Sequence, residues 1–181
     1  NFFASIIRLS SLKQLEKESY LSPILHLLDK SIRCMKNKIL RVLDNLDKKY
    51  YNIIQVAVLN HSRKSIPDGL TDEELLQTKI IRDADKLDNF VLKINRKIEE
   101  CFPGNIKSKS EVENSLISDK VYNSIMNNEC VDVHDRKTKL DLFICVLGFV
   151  YDLNFRESLE IVRENNYINR IIDRFKYNNN E

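Results

Sequence analysis

Apolar residues recur at helical spacing along most of this chain, and residues that interrupt helices are scarce. Its 181 residues include three glycines and three prolines. No stretch of useful length alternates apolar and polar residues as a half-buried strand does. The sequence therefore predicts an all-α protein, a single compact helical domain of about six to eight helices. One domain is also the default for a chain of this length.

Start and stop signals divide the first half into three helices. Ser22 and Pro23 form a helix-start pair for the first helix, and residues 49–62 fit a second. A turn with Pro and Gly follows at residues 66–70. The sequence TDEE, from Thr71, is a capping box, and it predicts a third helix that continues to about residue 100.

The second half is predicted to contain shorter helices around one apolar segment. Residues 107–113 are typical of a polar loop, and Ser118 is expected to cap a short helix. The nearly all-apolar residues 139–153 predict a central helix. Two further short helices are expected at 155–165 and 167–175.

Composition excludes some classes of function. With 29 basic and 27 acidic residues, the net charge of +2 is too small to indicate a nucleic-acid footprint. The longest apolar run, residues 142–151, is too short to span a bilayer. The four cysteines lack metal-like spacing and are expected to be reduced thiols. The N-terminal NFFASII lacks a signal-peptide pattern. We therefore expect a cytoplasmic protein without a membrane partner.

The predicted third helix has two stripes and several acids that belong to neither. At about 100° per residue, the apolar stripe is expected to pack on the core, and it comprises Leu76, Ile80, Leu87, Val91, Ile94 and Ile98. A cationic stripe is expected to face water, and it comprises Lys79, Arg82, Lys86, Lys93 and Lys97. Asp85 lies off the centre of both, Asp88 lies one turn further on, and Asp83 lies near the edge of the core stripe.

Isolated ionised carboxylates in such surroundings would cost several kcal/mol, so each acid needs a partner. One interpretation is ion pairing within the helix, for example of Asp83 with Lys79 or Lys86. The other is metal ligation or a catalytic role for Asp85.

Each histidine has a structural and a functional interpretation. His61 ends the second helix on an apolar side, so it is either a core residue or a ligand for Mn, Fe or Zn. His26 and Asp29 are three residues apart on the first helix, where they can touch or share a metal. His134 and Asp135 lie in a loop before a helix, where Asp135 is expected to cap that helix.

Several segments together resemble a known family. AVLNHS (57–62), followed by IPDGLTDEELLQTKIIRDADKLDNF (66–90), is similar to the C-terminal half of the HD-domain proteins. These are helical, metal-dependent phosphohydrolases, and the resemblance is to a subgroup common in anaerobic bacteria. It continues through ISDKVYNSIMNNEC and the last helices, and it covers about residues 37–177. Residues 1–36 match poorly, so we expect an N-terminal helical segment there and an HD-like domain at 37–181.

The resemblance implies a function and a set of site residues. In that family, His and Asp side chains hold divalent metals that activate water for attack on a phosphate ester. By this likeness His61 and Asp85 would be ligands of Mn, Fe, Mg or Zn. Arg82, Asp83 and Asp88 would be second-shell or substrate-side groups. The substrate would be a nucleotide or another small-molecule phosphate ester.

The sequence also departs from the family pattern. No His-Asp doublet precedes His61, and His134-Asp135 comes after Asp85, where the family's doublet would come before it. Either the chain is the C-terminal part of a longer hydrolase, or it is a degenerate member. The alternative function is a non-catalytic binding or assembly module that retains the HD fold.

Overall fold

The computed structural model describes residues 49–102 and 104–175. These residues form eight α-helices, two 3-10 helices and no strands, so the predicted all-α fold is confirmed. The α-helices are α1 (Lys49–Asn60), α2 (Asp72–Asn95), α3 (Ile98–Cys101), α4 (Lys109–Glu113), α5 (Asp119–Met126), α6 (Lys139–Ile144), α7 (Arg156–Glu164) and α8 (Tyr167–Ile172). The 3-10 helices are Val133–Asp135 and Cys145–Asp152.

The chain divides into two compact units, one ending at Asp85 and the other beginning at Lys86. The domain boundary predicted at residues 36 and 37 lies outside the described residues, as do the predicted first helix and its His26 and Asp29. Helix α2 is continuous across residues 85 and 86.

In the first unit, side-chain hydrogen bonds connect α1 and α2, and their spacing shows that the two helices run in the same direction. Near their starts, Asn52 Nδ2 donates to Glu74 Oε1 at 2.8 Å. Eight residues further along each helix, Arg82 Nη1 donates to the Asn60 carbonyl oxygen at 3.1 Å. Equal steps along both helices, about 12 Å each at 1.5 Å per residue, indicate a parallel pair. Residues 61–71 therefore return the chain to the start of α2.

A turn and a capping box, both predicted from the sequence, shape residues 61–71 and the start of α2. Gly69 has φ +82° in the turn predicted from its Pro and Gly. The predicted capping box is present: Glu74 N donates to Thr71 Oγ1 at 3.3 Å, and Thr71 N donates to Glu74 Oε2 at 3.0 Å. Two N–H groups at the helix start are thereby satisfied.

The second unit is built around a buried apolar cluster. Its members come from nearly every helix of the unit, and they are Phe90, Ile98, Ile106, Val112, Val121, Val131, Leu140, Phe143, Ile144, Cys145, Val146, Val162, Tyr167, Ile171 and Phe175. Aromatic pairs within it have edge and stacked geometries, for example Phe143 on Phe175 at 4.7 Å between centroids. The apolar segment 139–153 supplies five members, so its predicted central position is confirmed.

Three expectations for local structure in the second unit are wrong. The predicted loop at residues 107–113 contains α4. The long predicted helix to residue 100 ends at Asn95, and the short α3 follows. The central helix changes from α to 3-10 at Cys145. Close packing accompanies this tighter segment, because a Cβ on Gly148 would lie 2.9 Å from the Glu129 carbonyl oxygen.

The two stripes predicted for α2 are confirmed only in part. Ile98 is buried, Leu87 and Ile94 pack against the apolar cluster, and Lys97 is exposed, as expected, but other members are not where they were predicted. Leu76 and Ile80, expected in the core, expose 47% and 42% of their surface. Arg82, Lys86 and Lys93, expected to face water, expose 1%, 5% and 4%. Sequence periodicity predicts that cations lie on one face of a helix, but it does not show whether other parts of the chain place hydrogen-bond acceptors against that face. Here Arg82, Lys86 and Lys93 each have such acceptors.

Candidate metal site

His61 directly follows the last residue of α1 and exposes 2% of its surface. Its Nδ1 lies 2.6 Å from the Val58 carbonyl oxygen. A carbonyl oxygen only accepts, so Nδ1 carries a proton and donates it. In the neutral ring, Nε2 then carries the lone pair. A backbone carbonyl that fixes the tautomer in this way is typical of metal-binding histidines, and it also suits a structural histidine.

Arg82 fixes the chain on both sides of His61. Its Nη1 donates to the carbonyl oxygens of Asn60 at 3.1 Å and Arg63 at 2.6 Å. The Asn60 carbonyl belongs to the last residue of α1, where such groups lack intrahelical partners, and Arg63 follows three residues later. A buried cation is favourable at this end of the helix dipole. The His61 backbone is consequently held beside the middle of α2.

Asp85 lies on the side of α2 that faces α1. Glu74 and Arg82 define that side by their hydrogen bonds to α1. At about 100° per residue, Asp85 projects between their two directions, one turn beyond Arg82. Its side chain is half-buried. An antiparallel hairpin would have separated Asp85 from His61, whereas the parallel arrangement brings their segments to the same level.

The other two predicted acids lie elsewhere. Asp83 is 3% exposed, and it projects about 100° around α2 from Arg82, away from α1. Asp88 is exposed and belongs to the second unit. The ion pair suggested between Asp83 and Lys86 has a competitor in the second unit, because Lys86 Nζ lies 2.9 Å from Asp152 Oδ2.

His61 and Asp85 would supply two of the ligands that a bound metal ion needs. His61 and Asp85 are ligand types that Mn, Fe and Zn accept. Protein sites for such ions use three or four protein ligands. Among residues 49–102 and 104–175, no group of three or more His, Cys, Asp or Glu side chains could hold a metal ion. The described residues alone do not fit a complete site, and no reaction step follows from them.

The remaining predicted candidates have structural roles where the structure describes them. The Asp132 side chain accepts from His134 N at 2.9 Å, and Asp135 pairs with Lys120 at 2.9 Å. This hydrogen bond raises the pKa of Lys120. The expectation that Asp135 caps the following helix is wrong, because Thr138 caps α6. The three described cysteines are free thiols, as expected: Cys101, Cys130 and Cys145.

One buried acid, Asp141, was not among the predicted site residues, and its exposed fraction is 0%. It accepts from the backbone N–H groups of Ser118 at 2.9 Å, Lys137 at 2.8 Å and Thr138 at 2.9 Å. Burial opposes its ionised form, but these hydrogen bonds prevail and lower the pKa of Asp141. The capping pattern Thr138-x-x-Asp141 was the signal that could have identified it.

Lys93, which was expected to face water, is a second buried charge of this unit. Its Nζ donates to the carbonyl oxygens of Leu142 at 3.1 Å and Phe143 at 3.4 Å. The rings of Phe102 and Phe143 lie 5.0 and 5.8 Å from Nζ. Burial lowers the pKa of Lys93. This ammonium group supports the point where α6 changes into the 3-10 helix.

Comparison with known proteins gives no family assignment. The chain matches no protein-family model, no curated protein and no solved structure. None of the helices in the described part of the chain is long and apolar enough to cross a membrane. The likeness to HD-domain proteins therefore rests on the sequence motifs alone.

Proposed function

We propose that this chain provides part of an HD-type phosphohydrolase of the cytoplasm, which acts on a nucleotide or another small phosphate ester. His61 and Asp85 would contribute two ligands to a divalent metal, and the remaining ligands would come from outside the described residues. When bound, such a metal lowers the pKa of water and neutralises phosphoryl charge.

One observation supports this proposal above others. The hydrogen bonds from Arg82 to Asn60 and Arg63 hold the His61 segment against α2 at the level of Asp85. A buried imidazole whose Nδ1 proton is bound to a carbonyl has the tautomer that many metal-binding histidines use, and the helix to which its segment is bonded carries the half-buried carboxylate of Asp85.

A second candidate function is a non-catalytic module that retains the helical fold. The position of Arg82 favours this non-catalytic function. Its guanidinium group is buried and donates to backbone carbonyls, so it has a structural role. In such a module the buried polar groups would define the shape of a binding surface, and no metal would be needed.

Elemental analysis of the purified full chain tests the proposal. We expect about one equivalent of Mn, Fe or Zn in the wild-type protein, and strongly reduced content in His61→Ala and Asp85→Ala. Asp173→Ala is the matched control, because it removes an exposed carboxylate of the other unit. The protein with Mn added should release phosphate from a generic aryl phosphate, and Asp85→Ala should not.

The outcomes separate the two candidates. A metal-free wild-type protein whose thermal stability ignores both chelator and added Mn supports the non-catalytic module. Metal content that persists in Asp85→Ala contradicts the ligand assignment even if phosphate is released.

A further inference from the structure

Helix α2 presents an apolar stripe to solvent on the side opposite its buried face. The buried face recurs every four residues at Thr78, Arg82, Lys86 and Phe90. About 200° around the helix lies the outer stripe, which comprises Leu76, Ile80, Ala84, Leu87 and Val91. Leu87 is half-buried because it also packs against the apolar cluster of the second unit, so it lies at the edge of the stripe, and the other four are exposed. Contiguous exposed apolar surface of this kind marks an interaction site.

The spacing of the outer stripe is nearly the same in both chain directions. An antiparallel copy of α2 centred near Ala84 would place Leu76 opposite Val91 and Ile80 opposite Leu87. The two Ala84 side chains would then lie at the crossing point, where a small residue lets two helices approach closely. A surface that pairs with itself about a twofold axis is the requirement for an isologous dimer.

The charges at the two ends of α2 favour the same arrangement. Asp72 and Glu73 lie in its first turn, and the exposed Arg96 and Lys97 follow its last residue. In an antiparallel pair the acidic end of one copy meets the basic end of the other, and the helix dipoles are also opposed. A parallel pair would bring like charges together.

We propose that the outer stripe of α2 is the interface of a homodimer, in which two copies of this chain pack antiparallel through Leu76, Ile80, Ala84, Leu87 and Val91. The proposal goes beyond the hydrolase assignment and does not depend on it. It needs no ligand, so metal content and dimer formation can be measured separately.

Sedimentation equilibrium of the full chain is the test. The wild-type protein should sediment with the mass of two chains. Ala84→Glu should raise the dimer dissociation constant at least about tenfold, because it opposes two carboxylates at the crossing point. The substitution lies at an exposed helical position and retains a good helix former, so the monomer should fold.

Two further sets of variants give controls. Ile80→Glu should weaken the dimer, whereas Ile161→Glu should not, although the two isoleucines are 42% and 41% exposed. Glu73→Lys and Lys97→Glu should each weaken the dimer, and the double variant should restore it. Restoration by the double variant tests the antiparallel pairing itself.

Several results would overturn the proposal. One is a wild-type protein that stays monomeric at concentrations on the order of 100 μM. Another is a dimer that is insensitive to Ala84→Glu. A third is a monomer in which Ile80→Glu lowers the melting temperature far more than Ile161→Glu does. In that last case another part of the same chain covers the stripe.

Discussion

The described parts of the two units bury different kinds of side chain. In the second unit, fifteen apolar residues form one buried cluster. Between Lys49 and Asp85, Ala57 is the only apolar residue that is buried. The buried side chains of that stretch are otherwise polar: Asn60, His61, Thr78, Arg82 and Asp83. Apolar burial is non-directional and supplies stability, whereas buried polar contacts are directional and define geometry.

The candidate metal ligands lie in the part of the chain where the buried side chains are mostly polar. The first unit contains the imidazole and carboxylate that resemble metal ligands, and hydrogen bonds fix the segment around His61. The second unit uses two of its buried charges, Asp141 and Lys93, to terminate and join helices. The substitutions below therefore test whether the two units respond differently to the loss of one side chain.

The largest effect is expected for Phe143→Ala in the second unit. Phe143 is fully buried and contacts Phe175 edge to face. Its removal leaves a cavity in the core and should lower the free energy of unfolding by about 3–5 kcal/mol. Urea denaturation monitored by circular dichroism measures this loss. Leu159→Ala is the control, because Leu159 is 43% exposed and should lose less than about 1 kcal/mol. Equal losses in the two variants would contradict an apolar core here.

Arg82→Met should cost about 2–4 kcal/mol, because it leaves buried carbonyls without a charged donor. The effect should be local to the first unit. Hydrogen exchange of the amides near His61 should accelerate in the variant, while exchange at α6 should stay as in the wild type. Arg156→Met removes an arginine whose side chain is 86% exposed and serves as the control. Equally faster exchange in both units would contradict the prediction that the hydrogen bonds of Arg82 stabilise only the first unit.

Asp141→Asn should cost about 2–3 kcal/mol at neutral pH, since the new amide group would face backbone N–H donors. The pKa of Asp141 is lowered in the folded protein, so its contribution is present above the unfolded value and is lost as pH falls through the folded value. The stability difference between wild type and variant should therefore shrink in acid, below about pH 4. Denaturation at several pH values measures it, and a difference that is constant with pH would refute the linkage.

Gly148→Ala should cost about 1–3 kcal/mol, because the added Cβ meets backbone atoms that have little freedom to move. The nearest is the Glu129 carbonyl oxygen at 2.9 Å. Thermal denaturation of this variant can be compared with Ser124→Ala, a half-buried helical control. If Gly148→Ala had the same melting temperature as the wild type, the backbone from Glu129 to Val131 would have to move aside at little energetic cost.

The sequence predicted features that depend on local rules. The helix start at Thr71, the turn at Gly69 and the central position of residues 139–153 follow from capping, positive φ and apolar content, and all are present. What it mispredicted depends on distant partners. The buried face of α2 is set by carbonyls near residue 60 and by Asp152 and Leu142, far away in the chain. A one-dimensional pattern does not reveal whether such acceptors exist.

The same reason applies to the candidate site. His61 and Asp85 were proposed through motifs, but whether their segments lie at the same level depends on the parallel arrangement of α1 and α2. Residues 61–71 are long enough for either direction, so spacing alone allowed both arrangements. The contact that selects one is the bond from Arg82 to Asn60, between residues 22 positions apart. The assignment of Arg82 to a substrate-side role remains a prediction.

Lys93→Met should have the smallest effect at neutral pH, within about 1 kcal/mol, because it exchanges a buried charge for an apolar chain of similar length. The pH dependence is more informative. Burial lowers the pKa of Lys93 below its usual 10.5, so between these two values the unfolded chain binds a proton that the folded protein lacks. The free energy of unfolding of the wild type should therefore rise relative to Lys93→Met as pH increases through that window. Urea denaturation of both proteins from pH 7 to 10 measures this difference, and Lys97→Met, an exposed neighbour, should show none. A wild-type protein that weakens relative to Lys93→Met would mean that the carbonyls of Leu142 and Phe143 stabilise the ammonium group more than burial destabilises it.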